Sequence, residues 1–236
     1  MFDRDSQNVY RAESLKRLDW LEHGFGTIRA EPAQYGALRA LCASSWPPEP
    51  LVTVRQIHSN RVIVAAAARE IPDQEGDALI TDYPGVWIGV RTADCLPILI
   101  ADSRRRAVAA VHAGWRGTVQ EIGLAALAAL RDKFGSRPED LVVAIGPGIG
   151  ACCYEVGVDV AGQFQKYFPE RADLNGSAKI DLTVANVRQF VSAGVPGEQI
   201  SVCGLCTQCA VGELHSYRRD GARAGRMTAA ISVRPG

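Results

Sequence analysis

Residues 77–112 run through four short apolar segments, 77–81, 86–91, 96–101 and 107–112, rich in β-formers and separated by hairpin-length gaps. Gaps that short cannot carry the crossover a parallel pair needs, which favours antiparallel neighbours. Two more β-type runs, 51–56 and 61–65, precede them, and 141–145, 200–203 and 227–233 follow. Helical periodicity belongs to the second half. An apolar helix is expected over about 118–134, stopped by Gly135 and Pro138, with amphipathic helices over 158–167 and 182–193. Strands that cluster ahead of helices, without strict alternation, predict an α+β fold with a mixed or largely antiparallel sheet. No repeat or linker divides the chain. Ser44-Ser45-Trp46-Pro47-Pro48-Glu49-Pro50 reads as a stiff loop between a helix and a strand, so residues 1–236 are expected to form one domain.

Composition narrows the function classes. With 47% hydrophobic and 22% charged residues, the chain can bury a substantial core. Its 26 basic and 26 acidic residues cancel, so no basic footprint points to nucleic acid. Arg104-Arg105-Arg106 reads as a solvated turn, and Arg218-Arg219 is a second short basic run. The opening Met1-Phe2-Asp3-Arg4-Asp5-Ser6 is polar with no apolar segment behind it, and no stretch reads as membrane-spanning. An odd number of cysteines, seven, in a chain this long suits a reducing compartment with thiols as core residues, ligands or nucleophiles. A cytoplasmic location is expected, with no membrane partner and no obligatory protein partner.

The chemistry concentrates in Thr92-Ala93-Asp94-Cys95-Leu96-Pro97 and His112-Ala113-Gly114-Trp115-Arg116-Gly117, two segments joined by a predicted hairpin. If its loop is Ser103-Arg104, Asp102 faces Arg105 and Cys95 falls opposite His112 on one face. A Cys beside a His serves two chemistries. It can be a thiolate–imidazole dyad that attacks a carbonyl, or two ligands of a zinc site that needs a third protein ligand. The chain has four histidines. His58 ends a β-type run, whereas His23 and His215 lie in Gly- or Ser-flanked segments.

Six motifs in fixed order carry a resemblance: Gln56-Ile57-His58-Ser59, Gly76-Asp77-Ala78-Leu79, the two segments above, Gly146-Pro147 with Cys153-Tyr154-Glu155-Val156-Gly157, and Ser216-Tyr217-Arg218-Arg219 with Gly225-Arg226-Met227. Together with His23-Gly24-Phe25 they make the chain similar to the YfiH/PgeF family, also called laccase-domain or polyphenol-oxidase-like proteins. The resemblance implies an α/β/β/α-type layered sandwich with a zinc ion held by His58, Cys95 and His112. It implies a purine nucleoside phosphorylase acting on adenosine, inosine, guanosine and methylthioadenosine, with adenosine deaminase activity. Its partners would be the nucleoside and phosphate. An alternative within the family is peptidoglycan precursor editing, removal of a wrongly attached amino acid from a UDP-muramyl precursor. An alternative of another class is a non-catalytic metal-binding or redox-interaction protein built on the cysteines. Multicopper oxidation needs many histidines in His-x-His pairs, and this chain has none. A Cys/His₂ site would nonetheless take copper in vitro.

For deamination, an ion at such a site activates water for attack at purine C6 while a carboxylate shuttles protons. Asp94 and Glu155 are the candidate catalytic carboxylates. Phosphorolysis needs an anion site, and Arg55, Arg116 and Arg219 are candidates. Backbone N–H groups of Gly114-Trp115-Arg116-Gly117, at the start of a helix, could assist. Gly146-Pro147-Gly148-Ile149-Gly150 lacks the Lys and Ser/Thr of a phosphate loop and reads as a tight turn bringing backbone close to the site. In Cys203-Gly204-Leu205-Cys206-Thr207-Gln208-Cys209 the fourth ferredoxin thiol would fall at Glu213. His215 could complete a three-thiolate zinc site. No metal is expected there, and Cys152 and Cys153 read as turn and core residues.

Overall fold

A computed structural model of the chain describes residues 1–30, 46, 50–65 and 74–235. Most of the 44–50 loop lies outside the described residues. Strands β1 (Phe2–Arg4), β2 (Tyr10–Ala12), β3 (Leu21–Phe25) and β4 (Leu51–Val52) lead into β5 (Val62–Val64), β6 (Ala78–Thr81), β7 (Trp87–Thr92), β8 (Leu96–Asp102) and β9 (Val108–Ala113). After them come β10 (Leu141–Ile145), β11 (Glu155–Val156), β12 (Ala178–Lys179), β13 (Ile200–Val202) and β14 (Met227–Val233). The helices are α1 (Glu13–Lys16), α2 (Trp115–Val119), α3 (Ile122–Phe134), α4 (Val158–Ala161), α5 (Leu182–Ser192) and α6 (Tyr217–Asp220). None is long and apolar enough to cross a membrane.

The strands build two six-stranded mixed sheets, β1-β2-β3-β14-β7-β4 and β13-β10-β8-β9-β6-β5. Period-two alternation sorts the side chains into layers. In β8 and β9, Leu99, Ala101, Val108 and Ala110 face the first sheet and meet Ile88, Val90, Ala229 and Ile231 in one buried cluster. Ile98, Ile100, Ala109 and Val111 point the other way, onto Ile122, Ala126, Leu130 and Phe190 of α3 and α5. The α+β layered architecture expected from the sequence is therefore present. The central strands β6, β8 and β9 are buried on both faces, which is why they are almost uniformly apolar, while the edge strands β5 and β13 are partly exposed.

Several boundaries differ from expectation for physical reasons. Five residues, Ser103 to Ala107, separate β8 from β9, and the Asp102 N–H closes the turn on the Ala107 carbonyl at 2.8 Å. The Asp102 carboxylate accepts the N–H groups of Arg104 (2.8 Å) and Arg105 (2.9 Å), and Arg106 turns left-handed at φ 53°. His112 therefore pairs with Pro97, and Cys95 lies beyond the paired β8 residues. The shift is by two positions, so Cys95 and His112 keep the same face. The helix expected over 118–134 breaks at Glu121, which is left-handed at φ 63°. There the Thr118 carbonyl accepts from Gln189 Nε2 of α5 at 2.8 Å. The helix expected over 158–167 shortens to α4 and a 3₁₀ turn beginning at Gly162. The run over 51–56 pairs only at Leu51 and Val52 before it leaves the sheet. Strands β1–β3 are too short and too charged to announce themselves.

Candidate metal centre and its cavity

His112, near the end of β9, and Asp77, just before β6, stand side by side on adjacent strands of the second sheet. Ala78 pairs with Val111, and the His112 N–H donates to the Asp77 carbonyl at 2.7 Å. The side chains repeat the pairing, with His112 Nδ1 2.8 Å from Asp77 Oδ1. Asp77 is fully buried and also accepts the backbone N–H groups of Ile57 (3.3 Å), His58 (3.0 Å) and Ser59 (2.6 Å) and the Ser59 hydroxyl (2.7 Å). One carboxylate thus fixes the ring of one histidine and the backbone of another. That grip matters because His58 is left-handed at φ 59°, a conformation that costs a non-glycine residue about 1–3 kcal/mol.

Cys95 is presented by a second left-handed residue, Asp94 at φ 85°. The Asp94 carboxylate accepts the Thr207 hydroxyl and the Arg218 N–H, each at 2.6 Å, and its carbonyl accepts the Ile149 N–H at 2.8 Å. The ligand atoms of His58, Cys95 and His112 all lie within 4.8 Å of one another. Cys95 Sγ stands 4.0 Å from His58 Nε2, against roughly 3.5 Å for a thiolate and an imidazole sharing a tetrahedral zinc. Gly114 makes this approach feasible, since a Cβ there would lie 2.7 Å from Cys95 Sγ and 3.2 Å from His58 Cδ2.

The electrostatics match the geometry. Burial opposes ionisation of Cys95, but hydrogen bonds from His112 and His58 overcome it and bring the thiol down to about 6. Burial also disfavours charge on His112, yet Asp77 and Cys95 raise it to about 9. Despite its own burial, Asp77 is held down at about 2 by His112 and Ser59. A soft thiolate and two imidazoles, one oriented by a carboxylate, suit a borderline-soft divalent ion.

These residues open onto a cavity of about 750 Å³, within the range of small-molecule sites. Trp115, Tyr154 and Tyr217 give it aromatic walls, and Arg91, Arg218 and Arg226 contribute cations. The arginines picked from the sequence sit elsewhere. Arg55 pairs with Glu75 on the exposed surface and Arg116 stacks 4.4 Å over the Trp115 ring, and neither lines the cavity. Arg219 binds the carbonyls of Thr207 (3.0 Å) and Leu214 (2.9 Å) and the carboxylate of Asp220. Asp94 does line the cavity, with both carboxylate oxygens engaged. Glu155 is exposed on β11 and offers its carbonyl to Arg218 at 3.0 Å. The helix behind Gly114, α2, is five residues long.

Sequence reasoning assigned no role to Asp77, Arg91, Arg218 or Arg226. Three of them stood inside quoted motifs, so the signal was there without a chemical partner to explain it. Gln56 was likewise in view. Its side-chain amide bonds the Arg91 carbonyl and N–H, both at 2.8 Å, like an added strand residue. The glycine turn behaves as expected. Gly146 packs under the Phe25 ring and Ile149 lines the cavity. Cys152 and Cys153 lie in a turn, with Cys153 packed against the core, as read from the sequence; they also converge with Cys206 and Cys209, while Cys203 stands apart.

Residues 29–234 match the protein family described as multi-copper polyphenol oxidoreductase laccase. A protein of Bacteroides thetaiotaomicron named purine nucleoside phosphorylase is 38% identical over 200 residues, covering 79% of this chain and 74% of that one. Adenosine deaminase RL5, from an unknown prokaryotic organism, is 40% identical over 190 residues, covering 75% and 72%. The crystal structure of YlmD from Geobacillus stearothermophilus superposes with a TM-score of 0.84 at 27% identity, over 99% of both chains.

Proposed function

This chain belongs to the YfiH-type laccase-domain family, and from that membership we propose that it is a zinc-dependent purine nucleoside phosphorylase that also deaminates adenosine. The observation that carries the reading is the His58–Cys95–His112 group opening onto an aromatic and cationic cavity of nucleoside size. Bound at those three residues, zinc supplies a Lewis acid with an open coordination position.

The chain's own residues do the rest. Trp115 and the exposed Tyr217 are the lining aromatics against which a purine would stack, Tyr154 being largely buried. Phosphorolysis breaks the N-glycosidic bond as a phosphate oxygen takes the ribose C1′, so an anion must be held beside the sugar. Arg91, Arg218 and Arg226 are the cavity cations for that task, rather than Arg55, Arg116 and Arg219. The departing base needs a proton or hydrogen bond, and Tyr154, whose phenol burial raises above its usual range, stays protonated at neutral pH. Asp94 acts as a positioning residue that holds Cys95, Thr207 and the Arg218 backbone in one arrangement.

Copper oxidation is disfavoured by the donor set despite the family's description. His58 and His112 serve the three-ligand group, His23 accepts the buried Ala12 N–H at 2.9 Å, and His215 packs against Gly225. The four histidines are thereby accounted for, with none left for a multinuclear copper cluster. Incubation of zinc-loaded protein with adenosine tests the proposal. Free adenine and ribose 1-phosphate are expected with phosphate, and inosine without it. Absence of reaction with every purine nucleoside would overturn it and favour precursor editing.

A further inference from the structure

Two segments far apart in sequence bring four thiols together beside Gly150. The Sγ atoms of Cys152, Cys153, Cys206 and Cys209 all lie within 4.8 Å of one another. Cys153–Cys209 measures 3.4 Å and Cys152–Cys209 3.8 Å. Both are well beyond a disulfide bond, about 2.05 Å. They sit close to the edge of a tetrahedron of sulfurs around zinc, about 3.8 Å for Zn–S distances near 2.3 Å.

Backbone interactions do much to set this arrangement. Gly148 bridges Cys206 in parallel, and the Thr207 N–H donates to the Gly148 carbonyl at 3.0 Å. The N–H groups of Cys153 and Tyr154 both donate to the Gly150 carbonyl at 2.9 Å, curling Cys152 and Cys153 back over the turn. Cys206 Sγ accepts the Gly150 N–H at 3.3 Å and the Cys209 N–H, a pattern that stabilises a thiolate. Gly150 leaves the room: a Cβ there would lie 3.3 Å from both Cys152 Sγ and Cys206 Cβ. Cys153 and Cys206 pack against the core, but hydrophobic packing does not explain their exposed partners. A free cysteine used as a small hydrophobe is buried, yet Cys152 and Cys209 are exposed.

We propose that Cys152, Cys153, Cys206 and Cys209 form a second metal site, structural rather than catalytic, for a thiophilic divalent cation of the zinc class. Four protein thiolates fill a tetrahedral shell and leave no position for substrate. Each thiol gives up its proton on ligation, so binding releases protons and strengthens as pH rises. The ion clips the turn that carries Tyr154 to the loop that carries Thr207, and Thr207 holds Asp94 next to Cys95. It thereby stiffens one wall of the cavity. The inference stands on the four-cysteine geometry and is independent of the reaction assigned above.

Metal stoichiometry of the full chain, purified anaerobically from zinc-supplemented cells, tests it. Wild-type protein should carry about two zinc ions and the Cys152→Ser/Cys209→Ser double variant about one. Cys203→Ser should keep two. Cys95→Ser should lose the other ion, so failure of the three-ligand centre appears as Cys95→Ser matching wild type and is distinguishable. In cobalt-loaded Cys95→Ser protein, the charge-transfer spectrum of a four-sulfur site is expected, and it should vanish when Cys152 and Cys209 are also replaced. If the double variant fails to fold, Cys209→His replaces it and should alter the cobalt spectrum at unchanged stoichiometry. Equal zinc content in wild type and the double variant, a cobalt spectrum without four sulfurs, or disulfide formation among these cysteines in the presence of excess zinc would each overturn the proposal.

Discussion

His112 Nδ1 lies 2.8 Å from Asp77 Oδ1, across the ends of two adjacent strands. The contact leaves Nε2 as the ring nitrogen free to meet Cys95 and an ion. Because Asp77 also gathers the N–H groups of residues 57–59, it aligns two of the three candidate ligands at once. Asp77→Asn keeps the volume but turns an acceptor into a group that can present N–H to N–H. Zinc affinity is expected to fall about 10–100-fold, the usual cost of losing a carboxylate behind a ligand histidine. Competition against a chromophoric chelator measures it. Unchanged affinity would show that Asp77 only ties the 57–59 backbone.

Gly114 gives a cleaner probe, because its φ of −76° suits any residue and an added methyl acts through contact alone. Gly114→Ala would thrust a Cβ against Cys95 Sγ and the His58 ring. Overpacking of this kind costs about 1–3 kcal/mol when the surroundings cannot yield. The expected outcome is a folded protein, by circular dichroism, whose zinc content at the three-ligand site drops at least several-fold. Full occupancy with wild-type activity would mean the site is looser than its geometry indicates.

How much of this was legible beforehand depended on range along the chain. The β8–β9 hairpin brings His112 and Cys95 together through local pairing, and alternation preserved their shared face even though the register shifted by two. His58 entered through a resemblance, because nothing local reveals that Asp77 would draw its backbone to the site. The break at Glu121 depends on Gln189 and Tyr167, donors from later segments that no helical periodicity registers. β14 sits between β3 and β7 in the middle of its sheet, a placement only long-range pairing decides. The four-cysteine group has the same origin. Cys206 and Cys209 stood in a visible spacing, but their partners were Cys152 and Cys153 rather than Cys203, brought in by the Gly148–Cys206 bridge.

His23 shows how a motif residue can serve the fold. It is 3% exposed, and its Nε2 accepts the Ala12 N–H at 2.9 Å, joining β2 to β3. Burial, with Arg11 and Lys16 nearby and only partial relief from Asp3, pushes the imidazole down to about 3. The unfolded chain, with an ordinary imidazole near 6.5, binds the extra proton between those values, so acid favours unfolding. The stability that His23 contributes as a neutral group is intact above about pH 6.5. It should be lost at up to about 1.4 kcal/mol per pH unit below that, until the folded value is reached. Denaturant unfolding of wild type and His23→Gln from pH 7 to 4 isolates the effect, since glutamine keeps an acceptor without titrating. Parallel stability curves would refute the assignment.

The cavity arginines allow a test of the proposed dependence on phosphate. Arg226 lines the cavity and braces itself on the carbonyls of Ala224 (2.9 Å) and Gly225 (3.0 Å), which points its guanidinium without neutralising it. Arg116, outside the lining, stacks on Trp115 and spends its charge against a ring face. If phosphate is held by a charge-assisted contact worth about 1.5–3 kcal/mol, Arg226→Ala should raise the apparent phosphate KM roughly ten- to a hundred-fold. Phosphate-independent conversion of adenosine to inosine should survive in that variant, because no anion enters the reaction. Arg116→Ala should change the phosphate KM far less and act, if at all, on nucleoside KM through the position of Trp115. Zinc content must be measured on both proteins, since Arg116 lies only four residues beyond His112. Equal loss of both reactions in Arg226→Ala with zinc retained would make Arg226 a general support of the cavity. A large phosphate KM effect confined to Arg116→Ala would return the anion site to the segment behind Gly114.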